Sequence, residues 1–445
     1  MRTLCVTGRI AEKGGNVTDT RPHQDTVDAS GEPIRPLSRL ETYFTFGFGH
    51  FGGQSMLISG DLNIEALNDT CIEMQLRHES LRSIIRKNDQ VPEFVATHQP
   101  PKSIRVFEGE DLGTRSTGRE AVFDQTQQLF YVDLLLGEGQ ARVTFFVHHS
   151  IADGRHGSAI LIEFWSLYAQ RVEEGQFPPI LTQKFPQSGE YFLNRTQYPG
   201  ADPSVKADEV LRVPLWDEAA LAQKLPPPRE PALAKQMTLE KLGRASLARL
   251  GNIESISINS LVSAALIRAH VRAGDPVPLY FYPVDLRDCV TPPVAPTEAT
   301  NLLSNAWFGD VEIGPDLVTL ARKIHVQFDR DLADGTIHRT RVRNEPTKLL
   351  ADKSFGGAIH ATQLGRIRVP RLPGNLVVDD ITSSHASALG PAIYTFLYGR
   401  EVSVYTIDSL NQRLRVGFLA GSYEKSDELL AYIEDELTAA IDARI

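Results

Sequence analysis

The sequence predicts an α/β (α+β) protein of two domains, and three observations carry that expectation. The chain has 445 residues, beyond the ~250–300 at which one hydrophobic core stops growing. Short β-type apolar runs and segments of helical period occur in both halves. Its composition, 42% hydrophobic and 23% charged, sits near the globular average and excludes a chiefly disordered or fibrous chain.

Residues 1–35 are rich in Gly, Thr, Asp and Pro without an apolar period, so they are expected to form a disordered arm outside the fold. From Pro36, PLSRLETYFTF opens as a capped helix, and Ile64, Leu67, Cys71 and Met74 recur at spacings of three and four, as on a core-facing helix. LFYVDLLLG and ARVTFFVHH are Val/Phe/Leu-rich runs bounded by Gly and charge. Both read as strands, and the second, apolar at consecutive positions, as a central strand buried on two sides. After HHSIADG, Ile160, Leu161, Phe164, Leu167 and Tyr168 follow at helical spacing, giving strand, tight turn, helix. Trp165 on that helix is expected in the core.

Proline-rich stretches at 177–192 and 224–231 read as connections. They suggest a first domain over 36–205, a linker over 206–235 and a second domain over 236–445. In the second domain Ser257 caps an apolar helix ending at Gly274, and the β-rich run PLYFYPVDLR follows. YTFLYGREVSVYTIDSLNQRLRVGFLAG supplies antiparallel strands, and DELLAYIEDELTAAI an amphipathic closing helix. Residues 336–374 hold eight Lys/Arg against Glu345 and Asp352, in a chain of formal charge −10. That segment reads as a solvated crossover loop or as a docking face for an anion.

The net negative charge opposes coating a nucleic-acid backbone. Cys5, Cys71 and Cys289 form neither a disulfide framework nor a C-x-x-C pair, which fits a reducing compartment. The N-terminus lacks the apolar core of a signal peptide, and no run approaches the ~20 apolar residues of a membrane helix. The expectation is a cytoplasmic protein without a membrane span.

The stretch His148-His149-Ser150-Ile151-Ala152-Asp153-Gly154 carries the chemistry. A metal site is disfavoured because adjacent strand side chains point to opposite faces. A serine nucleophile is disfavoured because Gly53-Gln54-Ser55-Met56-Leu57 lacks the last glycine of a G-x-S-x-G elbow. Two core histidines remain an alternative, though the pair ends a buried strand at a turn, where α/β proteins place sites. The remaining reading is one histidine as general base, its neutral imidazole taking a proton from a hydroxyl or amine.

HHSIADG resembles the H-H-x-x-x-D-G signature of the superfamily that includes chloramphenicol acetyltransferase-like enzymes, peptide-synthetase condensation domains and polyketide-associated acyltransferases. YPVDLRDCVTPPVAPTEATNLL, residues 282–303, is similar to the polyketide-associated, phthiocerol/phthiodiolone dimycocerosyl transferase-like branch. The resemblance spans Pro36 to Ile337 and resumes at RLPGNLVVDDI, 371–381. It implies two chloramphenicol acetyltransferase-like subdomains in a V shape, with a tunnel at their interface. It further implies an O-acyltransferase using a thioester donor, acyl-CoA or a phosphopantetheinyl acyl-carrier protein of a polyketide synthase, and a small-molecule or lipid alcohol as acceptor. No resident cofactor or metal is expected, no acyl-enzyme, and a monomer. His149 would be the base, and Asp153 would pair with Arg287 in a structural role. His148 and Gly154 would support the site, Gly154 by permitting a tight turn. Asn301 is a candidate oxyanion donor, against the plainer role of satisfying loop backbone. Arg366, Arg368 and Arg371 are candidate donor-docking residues. Amide formation of the condensation-domain kind and a non-catalytic carrier-binding module are the alternatives.

Overall fold

The computed structural model describes residues 31–45, 49–87, 91–99, 101–202, 204, 232–233, 235–276, 278–309, 312–343, 357–387, 402–420 and 425–445. The expected arm thus lies outside the described residues except at 31–35, and the expected linker except at 232, 233 and 235. Cys5 also lies outside them. Residues 33–35 are no arm: they belong to strand β1 (Pro33–Pro36), an edge position where proline's missing N–H costs no ladder bond. Cys71 and Cys289 are free thiols.

In the first half, α1 (Arg39–Tyr43) is started by a complete capping box between Ser38 and Glu41. It leads to β2 (His50–Ser59), α2 (Ile64–Arg77), β3 (Ser83–Arg86), β4 (Glu93–Ala96), β5 (Arg105–Glu108), β6 (Phe130–Leu136) and β7 (Gln140–His148). Helices α3 (Gly154–Glu174) and α4 (Gly189–Leu193) complete it. Leu67, Cys71 and Met74 face the core from α2, but Ile64, in its first turn, is exposed. β1, β4 and β3 form a small sheet. β7 lies between β6 and β2. Phe145 on one of its faces packs on Phe164 and Trp165 of α3, while Phe146 on the other packs on Phe123 beside Phe51 and Tyr131. Burial on both faces explains the unbroken apolar run.

The second half contains β8 (Ala232–Leu233), β9 (Lys235–Gly243), α5 (Arg244–Glu254), α6 (Ile258–Arg272), β10 (Leu279–Asp285) and β11 (Leu303–Phe308). It continues through α7 (Leu317–Ala333), α8 (Thr336–Arg343), β12 (Ala358–Arg366), β13 (Val377–Ser387), β14 (Val402–Leu410), β15 (Arg413–Ala420) and α9 (Ser426–Asp442). Ser257 caps α6, and the β14–β15 turn places Asn411 and Gln412 at φ 49° and 66°, the left-handed pair of a two-residue hairpin.

Among the described residues there are two six-stranded sheets, ordered β5-β6-β7-β2-β13-β8 and β11-β10-β12-β14-β15-β9. The expected division at one linker therefore does not describe the sheets. β8 and β13 come from the second half of the chain yet extend the first sheet, with β13 antiparallel to β2 from Val377↔Ser59 to Ser387↔His50. The basic segment at 336–374 is likewise not one loop. It begins in α8, and β12 pairs in parallel with both β10 and β14. Its apolar residues Ala358, Ile359 and Ala361 are buried, so packing overrides the segment's charge. No single described helix is long and apolar enough to cross a membrane, and α5 and α6, which pass the test only as a pair, meet at 100°.

Candidate active site

The end of β7 presents the two histidines to different surroundings. His148 pairs opposite Phe51, and its side chain is wholly buried. Its Nδ1 lies 2.6 Å from Ser150 Oγ. Burial, reinforced by His149, pushes its pKa down to about 3, so it is neutral across the physiological range. Gly49 (φ +104°) lies against this ring: a Cβ there would come within 2.9 Å of His148 Nε2.

His149 is half-buried at the first position after β7, its N–H donating to His50 O at 2.7 Å. Its ring stacks on Phe44 at 4.2 Å and meets His50 edge-on at 5.2 Å. Among the described residues its buried Nδ1 has no hydrogen-bond partner. Burial lowers the pKa of His149, opposed by the charge of Asp153, its own carbonyl and Asn301. A neutral imidazole held between an aromatic face and a polar edge has the protonation state a general base needs.

The turn itself closes with Ile151 N donating to His148 O at 3.0 Å. Asp153 then caps α3, one carboxylate oxygen accepting from His156 N at 3.0 Å. Its other oxygen accepts from Arg287 Nη1 at 2.6 Å and from Leu302 N at 3.1 Å. Arg287 also donates to Asp285 at 3.1 Å and to Ala299 O at 2.9 Å. Asp153 N donates to Thr300 O at 2.9 Å. The carboxylate thus joins the helix after the motif to the loop at 285–302 of the other half. Nearby, Glu41 accepts from Arg35 at 2.7 Å and from the Thr300 hydroxyl.

One expectation is corrected, and for Asn301 the geometry favours the plainer of two roles. Gly154 is not needed for the turn: it opens α3 without a positive φ, and a Cβ there would meet only Leu364 at 3.6 Å, an ordinary contact. Asn301 is not aimed at a substrate oxyanion, because its amide nitrogen donates to His149 O at 2.7 Å and to Ser150 O at 3.4 Å. It satisfies the turn backbone. The basic residues lie at the surface. Arg366 and Arg368 are exposed at and beyond the end of β12, and Arg371, 80% exposed, pairs with Glu173 of α3 at 2.9 Å.

Sequence reasoning missed Phe44, His50, His360 and His385 as neighbours of His149. His50 starts β2, His385 lies on β13, and His360 on β12 stacks on Phe281 at 4.7 Å. They carry no motif spacing: His50 reaches the site through the β2–β7 pairing, and His385 only because β13 crosses to pair with β2. Among the described residues no group of His, Cys, Asp or Glu is arranged to hold a metal ion.

A family model described as "Phthiocerol/phthiodiolone dimycocerosyl transferase C-terminus" matches residues 228–419. The phthiocerol/phthiodiolone dimycocerosyl transferase of Mycobacterium tuberculosis is 32% identical over 367 residues, covering 79% of this chain and 82% of the relative. The chain belongs to the phthiocerol/phthiodiolone dimycocerosyl transferase family. It is an acyltransferase. The Mycobacterium leprae relative is 28% identical over 372 residues, covering 79% of this chain and 86% of its own. Polyketide synthase associated protein 5 from M. tuberculosis superposes with TM-score 0.73 at 25% identity, covering 92% of this chain and 98% of that one. The first condensation domain of the CDA synthetase, at TM-score 0.58 and 13% identity, covers 92% of this chain and 96% of its own, and shares the fold.

Proposed function

We propose that the protein is an O-acyltransferase that esterifies an alcohol of a polyketide-associated lipid from an acyl thioester, with His149 as general base. The observation that carries this reading is the state of His149: neutral and half-buried, on a turn pinned by the Asp153–Arg287 pair. His149 removes the proton of the acceptor hydroxyl as its oxygen attacks the thioester carbonyl. The tetrahedral intermediate collapses, breaking the C–S bond, and the proton passes from His149 to the departing thiolate. No step requires a covalent bond to the enzyme. Arg366 and Arg368, exposed, are offered to the phosphates of coenzyme A or to an acidic carrier protein.

The reading is supported by the names of the relatives, which are dimycocerosyl transferases. Its test is mass spectrometry of products from acyl-CoA and acyl-carrier thioesters offered an alcohol or an amine. Ester formed with the alcohol and no amide with the amine is the expected result. Amide as the main product would overturn the O-acyl assignment.

A further inference from the structure

Phe44 lies face to face with His149: the ring centroids are 4.2 Å apart and the planes 14° from parallel. The other histidine of the motif meets its aromatic neighbour differently, His148 standing edge-on to Phe51 at 83°. The difference is electrostatic, because the face of an aromatic ring is the negative side of its quadrupole. That face attracts a cation lying over it within about 6 Å of the centroid, an attraction a neutral ring does not feel. The stack therefore strengthens as His149 takes a proton and becomes imidazolium. Only a contact that is stronger in the transition state than before it accelerates a step, and this contact has that property.

One loop holds the two rings in register. Phe44 caps the C-terminus of α1, its N–H donating to Glu41 O and Thr42 O. Glu41 is completely buried and accepts from the Thr300 hydroxyl as well as from Arg35. The next residue of that loop, Asn301, donates to His149 O at 2.7 Å. Adjacent residues from the other half of the chain thus anchor the helix that carries Phe44 and the turn that carries His149. The titratable groups set around His149 among the described residues are His148 beside it on β7, His50 on β2, Asp153 at the start of α3, His360 on β12 and His385 on β13. Burial pushes His148 down to about 3, His360 and His385 to about 4, and His50 well below its ordinary value. These four imidazoles add no positive charge near neutrality, so Phe44 offers the imidazolium its aromatic face without a competing cation among them.

We propose that Phe44 is a positioning residue for His149, its ring face stabilising the imidazolium that forms as the acceptor hydroxyl gives up its proton. The inference rests on the reading of His149 as the base. The proton leaves the imidazolium again for the departing thiolate, so Phe44 acts on the charge of the ring and forms no bond.

The test uses the full chain and reads two quantities. One is the single-turnover rate with dodecanoyl-CoA and decanol at about pH 8. The other is the pKa of the His149 ring, followed by NMR of protein labelled at its histidine ring carbons and assigned by the signal missing from His149→Gln. Phe44→Leu keeps an apolar side chain without an aromatic face, whereas Phe44→Trp offers a stronger face. The Leu variant is expected to lose about two- to thirtyfold in rate and to show a lower His149 pKa. The Trp variant should match or exceed the wild type in both. A merely space-filling Phe44 predicts the reverse order, with Leu tolerated, the larger Trp damaging and the pKa unmoved. Phe44→Met, equally apolar, gives the same comparison if the Leu variant fails to fold. Wild-type rate and pKa in the folded apolar variant, or a Trp variant slower than that variant with the pKa unmoved, overturns the proposal. The His149→Gln variant separates the two readings. If it matches the wild-type rate, the base assignment falls, while the pKa shift in Phe44→Leu still decides the ring contact.

Discussion

Arg287 Nη1 lies 2.6 Å from Asp153 Oδ2, and both side chains are completely excluded from solvent. The two residues are 134 positions apart. Their contact, with the amide of Leu302 and the carbonyl of Ala299 at its margins, fastens the helix that follows the histidine motif to the loop of the other half. A buried pair of this kind adds little against an apolar replacement but is costly to break from one side, because the remaining charge loses its partner.

Asp153→Ala and Arg287→Ala should therefore each lose about 3–5 kcal/mol of stability. The double variant should lose much less than the sum, since it leaves neither charge stranded. Denaturant unfolding of the four proteins checks this, and strict additivity would show the contact to be energetically idle.

Gly154→Ala should be tolerated, within about 1 kcal/mol of wild type and with activity retained. Its backbone suits any residue, and the added methyl meets only Leu364. A fall of several degrees in melting temperature would contradict that geometry.

Asn301→Ala should lower stability and turnover together, because it removes the donor to the His149 and Ser150 carbonyls. The stability loss should be about 1–3 kcal/mol. A variant with unchanged melting temperature and kcat reduced 10²–10³-fold would instead return Asn301 to the oxyanion role.

Stability should fall as the solution is acidified below pH ~6.5. His148 and His156 have pKa values pushed down to about 3, each chiefly by burial, with His149 adding to the first and Arg287 to the second. The unfolded chain takes up these protons near pH 6.5 and the folded one only near 3. Each residue thus removes about 1.4 kcal/mol per pH unit across that window. Above it the contribution is complete. His156→Gln should flatten the slope of the urea midpoint between pH 6.5 and 4.5, and an unchanged slope would contradict the assignment.

Much of this was legible in the chain because the responsible patterns are local. The run VTFFV declares a strand buried on both faces, Ser38 with Glu41 a helix start, and Ser257 before an apolar period another. The second-half elements around 358–387 were not legible. β12 carries His360, Thr362, Gln363 and Arg366 in a neighbourhood of arginines, and its strand character comes from pairing with β10 and β14 rather than from its own composition. The exchange of β13 has no local signature at all. It brings His385 beside His149, so that neighbour was hidden for the same reason. Asn301 was left between two roles: its place in EATNLL is visible, but the use of its amide depends on a carbonyl 152 residues earlier.

If His149 is the base, the chemistry depends on its ring while the fold does not. The most direct measurement is the single-turnover rate of His149→Ala with a saturating acyl thioester and alcohol acceptor, alongside its thermal unfolding. The rate should fall by about 10²–10⁴-fold, the usual contribution of a general base, with a melting temperature close to wild type. Turnover equal to wild type, or a loss of activity explained by unfolding, would contradict it.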